Sequence, residues 1–572
     1  STLSEIPVVF ERKAADDPQP EPAPQRRHAL RLSNVEAPTL GRPGDPARMS
    51  LLQSNLTVAS GTALSRVTGL LRLSVLAGVI GGTALNDAYI SANESPNIVY
   101  ELLLGGVLSA TLVPLFSTFA EDEDDESTNV VITTAAVMIA GLTLVAVLAA
   151  PLIFRLFSLH VADGVDPDLF RSVGTTLSRI FLIQILFYGL TGLANAFLNS
   201  RRHFFAAAWS PILPNLIIIV TLLSLPDPVS TGWALSDVLT NQRLRLTLGL
   251  GATLGIGAMA FALIPAAMST GFRFRPVWNL KHPSVKKLLS LSFWTFGFVG
   301  SNIVALIVVR NLTEPGSSGT FAYVAAFTFF VLPQGLLGIS IATTFQPELA
   351  RSVARKDKAS FISTMSLGVR MTALLTIPAG IGLFVLRRPL VGLAIENGRC
   401  DAACGLSASR ALGGFALGLG AFSIYFFVLR GFYAHKDTRT AFKVNVIENS
   451  INIVLALLLV GSYGVLGLGA SYAIAYVFSA FWVLQIMSYK VPGFEVRPIL
   501  QSLWTMIVAG ALMGEVVWFI TRNVGGNVGR DALLRLAVGA VVGVIVYFGL
   551  LAVMGAPELD ALKRRLRPEQ RR

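Results

Sequence analysis

The sequence predicts an all-α polytopic membrane protein with about fourteen transmembrane helices. Of its 572 residues, 53% are hydrophobic and only 14% are charged, whereas soluble domains carry about 25% charged residues. Apolar runs that are long enough to cross a bilayer, about 18 residues or more, recur from Leu51 to Met554. The net charge is +12. Excess Lys and Arg in a membrane protein mostly mark cytoplasmic loops, and no nucleic-acid-binding motif accompanies them, so we expect no nucleic-acid partner.

The first fifty residues differ from the rest of the chain. Residues 1–50 are rich in Pro, charged and small polar side chains, as in DDPQPEPAPQRRH, and such a segment cannot bury enough apolar surface to fold alone. It lacks the apolar core of a signal peptide. We expect a disordered cytoplasmic tail.

The apolar runs predict fourteen spans after this tail. They lie near 55–80, 86–118, 130–155, 170–198, 204–225, 246–270, 288–311, 320–347, 360–386, 408–433, 441–461, 466–488, 499–521 and 532–554.

Basic residues in the connections predict the orientation. On one side they are Arg201, Arg202, Arg273, Arg275, Lys281, Lys286, Lys287, Arg351, Arg355, Lys356, Lys358, Lys436, Arg439, Lys443 and the tail residues Lys563, Arg564, Arg565 and Arg567. The other side is poorer in them, although it has Arg243, Arg245, Arg387, Arg388 and Arg399. With an even number of spans, both termini are expected in the cytoplasm.

The two halves of the chain echo each other. Asn195–Val220 and Arg430–Leu455 each contain a helix end, a short basic turn and a new span that bears a buried Asn. Internal repeats of this kind are typical of alternating-access transporters, whose binding site lies between the repeats near the bilayer midplane. Any helix pair with a short basic loop gives the same spacing, which leaves a purely structural interpretation open.

The first pair of spans carries charges among its apolar residues, namely Arg66, Arg72, Asp87, Glu94 and Glu101. A charge that faces hydrocarbon costs at least ~2.5 kcal/mol, so these side chains should face protein or a water-filled cavity. A guanidinium group holds phosphate oxygens at two points and stays protonated at physiological pH. The alternative is structural: Arg66 and Arg72 are six residues apart, and either could reach the membrane interface or pair with Glu94 or Glu101.

Several segments carry a resemblance to a known family. LSRVTGLLR, NDAYISANESPN and GGVLSATLVPLFS, and later LPQGLLGISIATTFQPELARSVARKD, RRPLVGLAIENG and LRGFYAHKDTRTAFKV, are similar to the MurJ (MviN) family. These proteins flip lipid II, the lipid-linked peptidoglycan precursor, within a superfamily of multidrug, oligosaccharidyl-lipid and polysaccharide exporters. The resemblance implies two six-helix lobes around a central cavity, residues 51–271 and 272–490. Two C-terminal helices would follow at 491–554 and line a lipid-accessible groove. The chain would end in a basic cytoplasmic tail at 555–572.

The resemblance also implies site residues. Arg66 and Arg72 match two first-helix arginines that face the cavity, and Asp87 matches the acidic residue of the next segment. We add Asn97, from the same segment, and Arg430 as further substrate-binding candidates.

The chain also departs from the family pattern. Leu73 stands where the family usually has Asp, Tyr100 and Glu101 replace an Arg pair, and Thr328, preceded by Phe327, replaces the eighth-span cavity arginine. Either another cation, such as Arg310 or Arg430, takes the place of the missing cavity arginine, or the substrate head group is held differently.

We therefore predict a non-enzymatic flippase in the bacterial cytoplasmic membrane that moves lipid II by alternating access, with arginines binding its diphosphate. No cofactor is expected. The membrane potential or a monovalent cation could drive the cycle, and Asp87, Glu94 and Glu448 are either carboxylate sites for that cation or partners of arginines. Expected partners are lipid II, membrane lipids and cell-wall synthesis proteins.

Three other functions compete with this prediction. One is flipping of another undecaprenyl-diphosphate-linked saccharide, and a second is cation-coupled drug export, which would require an acidic, aromatic pocket. The third is intramembrane catalysis, which is disfavoured because HExxH and GxSxG motifs are lacking and the five histidines lie in tails or loops.

Two cysteines, Cys400 and Cys404, lie in the segment NGRCDAACG. Two thiols cannot provide a four-ligand zinc site, and no histidine lies nearby, so no metal site is predicted. In an extracytoplasmic loop, a disulfide is favoured over two free thiols.

Overall fold

The computed structural model describes residues 46–104, 112–201, 203–226, 232–283 and 293–559. Most of the predicted N-terminal tail and the basic tail beyond residue 559 lie outside these ranges. The first helix begins at Pro46, so the last residues assigned to the tail are helical. Helices make up the fold, and no strand occurs in the described ranges.

The first half of the chain contains eleven of the described helices. They are α1 (Pro46–Ile80), α2 (Ala84–Leu104), α3 (Val113–Glu121), α4 (Asp125–Leu148), α5 (Ala150–Leu156), α6 (Pro167–Phe181), α7 (Gln184–Ser200), α8 (Phe204–Trp209), α9 (Ile212–Leu223), α10 (Asp237–Thr240) and α11 (Gln242–Met268).

The second half contains α12 (Phe293–Leu312), α13 (Gly319–Pro333), α14 (Ile339–Ala354), α15 (Lys358–Ile395), α16 (Ala402–Ala416), α17 (Leu419–Ala434), α18 (Thr438–Tyr463) and α19 (Val465–Lys490). A π-helical turn, Gln334–Gly338, joins α13 to α14. Two C-terminal helices follow, α20 (Val496–Thr521) and α21 (Gly529–Val553).

The structure confirms the prediction of an all-α polytopic membrane protein. In the described residues, 11 helices are long and apolar enough to span a membrane, and the pair α16 and α17, bent by 50°, would be the twelfth span. The predicted count of fourteen is not confirmed. The second and seventh predicted spans, 86–118 and 288–311, fall partly on residues 105–111 and 284–292, which lie outside the described ranges.

The helices pack mainly within their own half. In the first half α9 lies against both α1 and α11, and α2 lies against α6. In the second half α18 lies against α12 and α19, while α16 contacts α13 and α19. The C-terminal helices α20 and α21 pack on α15. The lobe boundaries at 271 and 490 stay predictions.

The connections alternate between two sides of the bundle. We call one the basic side, with the connections after Ser200, Met268, Ala354 and Ala434, and the other the opposite side, with those after Ile80, Leu312, Ile395 and Thr521.

The two halves touch each other at the opposite side. The backbone N–H of Arg399 donates to the Gly78 carbonyl at 2.9 Å, and the Asn397 amide donates to the Ser74 hydroxyl at 3.1 Å. A Cβ at Gly398, whose φ is +54°, would lie 2.4 Å from the Gly78 carbonyl oxygen, so this approach requires glycine. These contacts pin the end of α1 to the loop after α15.

Candidate functional site

Two adjoining cavities lie between the halves, and α1 provides a wall of both. The outer cavity, about 430 Å³, is nearer the basic side. Its lining includes Thr62, Ser65, Arg66, Gly69, Arg72, Ala207, Ala208, Pro211, Asn215, Thr328, Val331 and Leu332. Arg66 and Arg72 are both half-buried, and both face this cavity although they are six residues apart.

The inner cavity, about 260 Å³, lies deeper and carries polar groups of both signs. Its polar lining is Arg72, Tyr89, Asn93, Glu94, Asn97, Gln184, Tyr188 and Thr328. Gly69, Arg72 and Thr328 line both cavities, so we treat the two together as one central chamber. Arg72 stands at their junction.

Asn215 of α9 holds α1 in place beside the chamber. Its amide nitrogen donates to the Ser65 carbonyl and to the Thr68 hydroxyl, both at 3.1 Å. Thr68 in turn donates to the Leu64 carbonyl at 2.9 Å. This buried asparagine is the one that the echo between the halves pointed to, and its bonds fix the turn of α1 from which Arg66 projects.

Arg66 crosses toward the second half, where its guanidinium lies against Gly335. A Cβ placed on Gly335 would lie 2.6 Å from the Arg66 Cζ atom. Gly335 belongs to the π-helical turn, and the neighbouring Gln334 accepts a hydrogen bond from the Ser423 hydroxyl. The turn follows Pro333, whose missing N–H disrupts the regular helical bonding.

Glu94 is paired with Arg310, not with an α1 arginine. The Arg310 guanidinium donates to both carboxylate oxygens of Glu94, at 2.5 and 2.9 Å, and lies 5.1 Å from the centroid of the Tyr323 ring. Since this pairing occupies Arg310, it does not supply a free cation in place of the arginine that Thr328 replaces. Within the described ranges neither Arg66 nor Arg72 has an ion-pair partner.

Asp87 lies outside the chamber lining and is fully buried. Its carboxylate accepts backbone N–H bonds from Gly316 and Ser318, both at 2.9 Å, and from Phe321 at 2.8 Å. The side chain therefore holds the turn before α13 against the start of α2, on the opposite side.

Of the remaining predicted site residues, one lines the chamber and one does not. Asn97 lines the inner cavity. Arg430 lines neither part of the chamber and lies in the last turns of α17, near the basic side. The side chain of Glu101 lies outside the described residues.

The second half contains a buried polar cluster that the sequence predicted only in part. Glu448 of α18 is buried, and its Oε1 atom accepts no hydrogen bond from the residues that the structure describes. On the same helix the side-chain amides of Asn445 and Asn449 both donate to the side-chain amide oxygen (Oδ1) of Asn302, at 3.0 and 2.8 Å. Sequence reasoning named Glu448 but missed Asn302. The i, i+4 spacing of the α18 asparagines was the signal that they share a face.

An apolar groove of about 540 Å³ runs between α15, α17, α19 and α20. Its walls include Ile381, Ile424, Phe481, Leu503 and Trp504. One of the two C-terminal helices thus lines a groove with the character that a lipid chain requires.

The loop after α15 carries the two cysteines. Cys400 and Cys404 form a disulfide with Cα atoms 5.4 Å apart, and a Cβ at Gly82 would lie 3.0 Å from the Cys404 sulfur. The disulfide is therefore part of the surface against which the turn between α1 and α2 packs. In the described part of the chain, no cluster of three His, Cys, Asp or Glu side chains could hold a metal ion.

Comparisons with known proteins agree with this architecture. The chain is 29% identical over 497 residues to the probable lipid II flippase MurJ of Vibrio cholerae, covering 85% of this chain and 89% of that protein. It is 27% identical over 524 residues to the lipid II flippase MurJ of Burkholderia cenocepacia, covering 89% and 98%.

Solved structures show the same fold. A lipid II flippase MurJ in an inward closed conformation superposes with a TM-score of 0.71 at 22% identity, over 87% of this chain and 98% of that one. An inward-facing multidrug resistance MATE family transporter gives 0.61 at 12% identity, over 76% and 98%. The sequence profile of the family described as lipid II flippase MurJ matches residues 76–539. The chain belongs to the lipid II flippase MurJ family.

Proposed function

We propose that this protein flips lipid II across the bacterial cytoplasmic membrane, with Arg66 and Arg72 binding the diphosphate. The observation that carries the proposal is that both arginines line one chamber between the two halves and neither is neutralised by a described carboxylate. The barrier to flipping is the desolvation of the charged diphosphate and the polar head. Guanidinium groups in a chamber replace the lost water with two-point hydrogen bonds.

The closed opposite side supports an alternating-access cycle. The contacts of Ser74 and Gly78 with the loop after α15 close the space between the halves there, while the outer cavity lies toward the basic side. Following the positive-inside rule, we propose that the basic side, and with it both termini, faces the cytoplasm. This conformation would then admit a lipid from the inner leaflet, and rocking of the halves would release it to the outer one.

The driving force is proposed to be the membrane potential or a monovalent cation. A charge that crosses the full potential gains about 2.3 kcal/mol for each 100 mV. Glu448 and the Asn445 side-chain amide offer a carboxylate and a carbonyl oxygen, the ligands that hard cations prefer, and neither Glu448 Oε1 nor Asn445 Oδ1 has a hydrogen-bond partner among the described residues. Glu94 and Asp87 are weaker candidates, because Arg310 and backbone amides already occupy their oxygens. The polyprenyl tail would stay in lipid or in the apolar groove, and cell-wall synthesis proteins that use the product are the proposed partners.

A second candidate is a flippase for a different undecaprenyl-diphosphate-linked saccharide. The observation in its favour is that Thr328, beside Phe327, stands on the chamber wall where the family resemblance expects a cation. The diphosphate site would be the same, but the sugar and peptide of the head group would meet a less charged wall. Drug export is less well supported, because the α1 wall of the chamber carries arginines and would repel a cationic drug.

Depletion of the protein in a strain that depends on it tests these candidates. Lipid II should accumulate in the inner leaflet, whereas accumulation of another lipid-linked saccharide with an unchanged lipid II pool would favour the second candidate. Complementation with Arg72→Ala should fail and Arg72→Lys should restore part of the flux. Arg351→Ala, which removes a largely exposed arginine on the basic side, is the matched control and should complement. Normal growth with Arg72→Ala would contradict the proposed role.

A further inference from the structure

A second polar pocket, which shares no lining residue with the central chamber, lies where the C-terminal helices meet α15. It has a volume of about 290 Å³ and is lined by Arg370, Pro498, Gln501, Ser502, Thr505, Met554, Gly555, Ala556, Pro557 and Glu558. Its residues come from α15, from the beginning of α20 and from the turn after α21. The flipping cycle proposed above does not use any of them.

Two opposite charges face this pocket without complete hydrogen bonding. Glu558 is only 3% exposed in its side chain, Arg370 is 23% exposed, and their nearest nitrogen and oxygen atoms are 3.7 Å apart, which is an ion pair but not a hydrogen bond. The Glu558 Oε1 atom and the Arg370 Nε atom have no hydrogen-bond partner in the described part of the chain. A buried ion pair with unfilled hydrogen bonds destabilises the fold unless further groups complete those bonds.

The pocket also lies at the boundary of the apolar surface. It sits at the basic-side ends of α20 and α21, which begin at Val496 and end at Val553. Trp504, Val553 and Met554, next to its mouth, are 68%, 86% and 43% exposed. A spanning helix exposes such residues to lipid chains, so a group that enters this pocket would stand at headgroup depth.

The charges define which headgroup fits. An anionic headgroup would satisfy Arg370 but would bring its negative charge against Glu558. A zwitterion with a primary ammonium group and a phosphate satisfies both side chains. The Thr505 hydroxyl donates to the Gln501 carbonyl at 3.1 Å, so its oxygen remains an acceptor, while the Gln501 amide is a donor that suits a phosphate.

We propose that this pocket binds the headgroup of an aminophospholipid, with Glu558 accepting from the ammonium group and Arg370 donating to the phosphate. The acyl chains would lie along the exposed apolar surface beside Trp504. The bound lipid would join α15 to the C-terminal helix pair on the basic side. This site is independent of the proposed diphosphate site on α1.

Native mass spectrometry of the full chain in detergent, with phosphatidylethanolamine, phosphatidylcholine or phosphatidylglycerol added at equal concentration, tests the proposal. Choline lacks N–H donors, so we expect phosphatidylethanolamine to bind about ten-fold more tightly than phosphatidylcholine, as one lost charge-assisted hydrogen bond implies. Phosphatidylglycerol should also bind more weakly. Equal affinity for the three lipids in the unaltered protein would overturn the proposal.

Variants assign the preference to the pocket. Glu558→Gln should remove most of it, and Glu348→Gln, which alters the exposed pair between Glu348 and Arg351 at 3.7 Å, should leave it intact. If Glu558→Gln does not fold, Thr505→Val keeps the buried ion pair and should still lower the preference about three-fold. A preference that survives both pocket substitutions would place the lipid elsewhere.

A soluble probe distinguishes a lipid from a free metabolite. O-phosphoethanolamine has the same two charges but no acyl chains. It should displace the lipid only at much higher concentration, because the apolar contacts beside Trp504 are missing. Binding of O-phosphoethanolamine as tight as that of the lipid would refute the lipid assignment. None of these measurements depends on flipping, so they can fail or succeed separately from the proposed function.

Discussion

The ion pair between Glu94 and Arg310 joins α2 to α12 near the opposite side, and its removal should loosen the contact between the two halves. The Arg310 side chain is 4% exposed and that of Glu94 is 26% exposed. Glu94→Gln keeps the shape of the side chain but leaves the Arg310 guanidinium without its counter-charge.

The size of the effect follows from burial. Breaking a fully buried ion pair by removing one partner costs about 3–5 kcal/mol. Because Glu94 lines the inner cavity and is partly exposed, we expect about half of this, ~2 kcal/mol, for the conformation closed at the opposite side. Since about 1.4 kcal/mol corresponds to a factor of ten, the population ratio should shift about thirty-fold toward a conformation open at that side.

Spin labels on the opposite side measure this shift. Asp168 in the first half and Ser462 in the second, at the opposite-side end of α18, are both exposed, and cysteines introduced there can be labelled while Cys400 and Cys404 stay in their disulfide. Double electron–electron resonance should show a longer distance population in Glu94→Gln that is minor in the unaltered protein. The double variant with Arg310→Gln, which removes both charges, should cost less than the sum of the single variants. An unchanged distance distribution together with additive stabilities would refute the reasoning.

Three further predictions concern other residues. Asp87→Asn should lower the free energy of unfolding by about 2–4 kcal/mol in thermal or denaturant unfolding, because three backbone amides lose a charged acceptor. Gly335→Ala should reduce transport while the melting temperature changes little, since the added Cβ, 2.6 Å from Cζ of Arg66, displaces only the end of a flexible side chain. Burial opposes ionisation of Asp437, but the hydrogen bonds from Lys490 and Thr440 together with the Lys490 charge outweigh it and hold the pKa of Asp437 below its ordinary value. Its stabilising contribution should therefore be constant above about pH 5. That contribution should be lost as the pH falls through the lowered pKa, so the difference in melting temperature between the protein and Asp437→Asn should shrink below about pH 4.

Each of these predictions has a control. Gly300→Ala is matched to Gly335→Ala, because a Cβ at Gly300 meets nothing within 4 Å, and it should leave transport unchanged. For Asp87, loss of transport with unaltered stability would show that the carboxylate acts on the substrate instead of on the turn before α13. For Asp437, a stability difference that does not change between pH 7 and pH 3 would contradict the assigned pKa direction.

Local features of the sequence predicted the helical spans but not their interruptions. Apolar runs and helix length depend on neighbouring residues, so most predicted spans match helices within a few residues. The bend of 50° between α16 and α17 and the π-helical turn after Pro333 depend on which helices pack beside them. A proline in an apolar run is compatible with either a straight or a broken helix.

The charged residues show where sequence reasoning reached its limit. Arg66, Arg72 and Asn97 could be named because a charge or amide in an apolar helix requires a polar environment, and the chamber supplies it. The same reasoning selected Asp87, whose partners Gly316 and Ser318 lie 229 and 231 residues further along the chain. Only the folded arrangement shows that these backbone amides, and not a ligand, take up its carboxylate.

Both arginines that line the chamber belong to the same helix, α1, whereas the facing wall offers Thr328 and the backbone of Gly335. An anion bound by these two guanidiniums would move together with the first half. Its distances to α1 would stay constant while the second half changes its position relative to the anion. The first half would therefore select a substrate by its negative charge, and the second half would close the chamber. Substitutions on the second-half wall could then adapt the chamber to another sugar or peptide without altering the binding of the phosphates by α1.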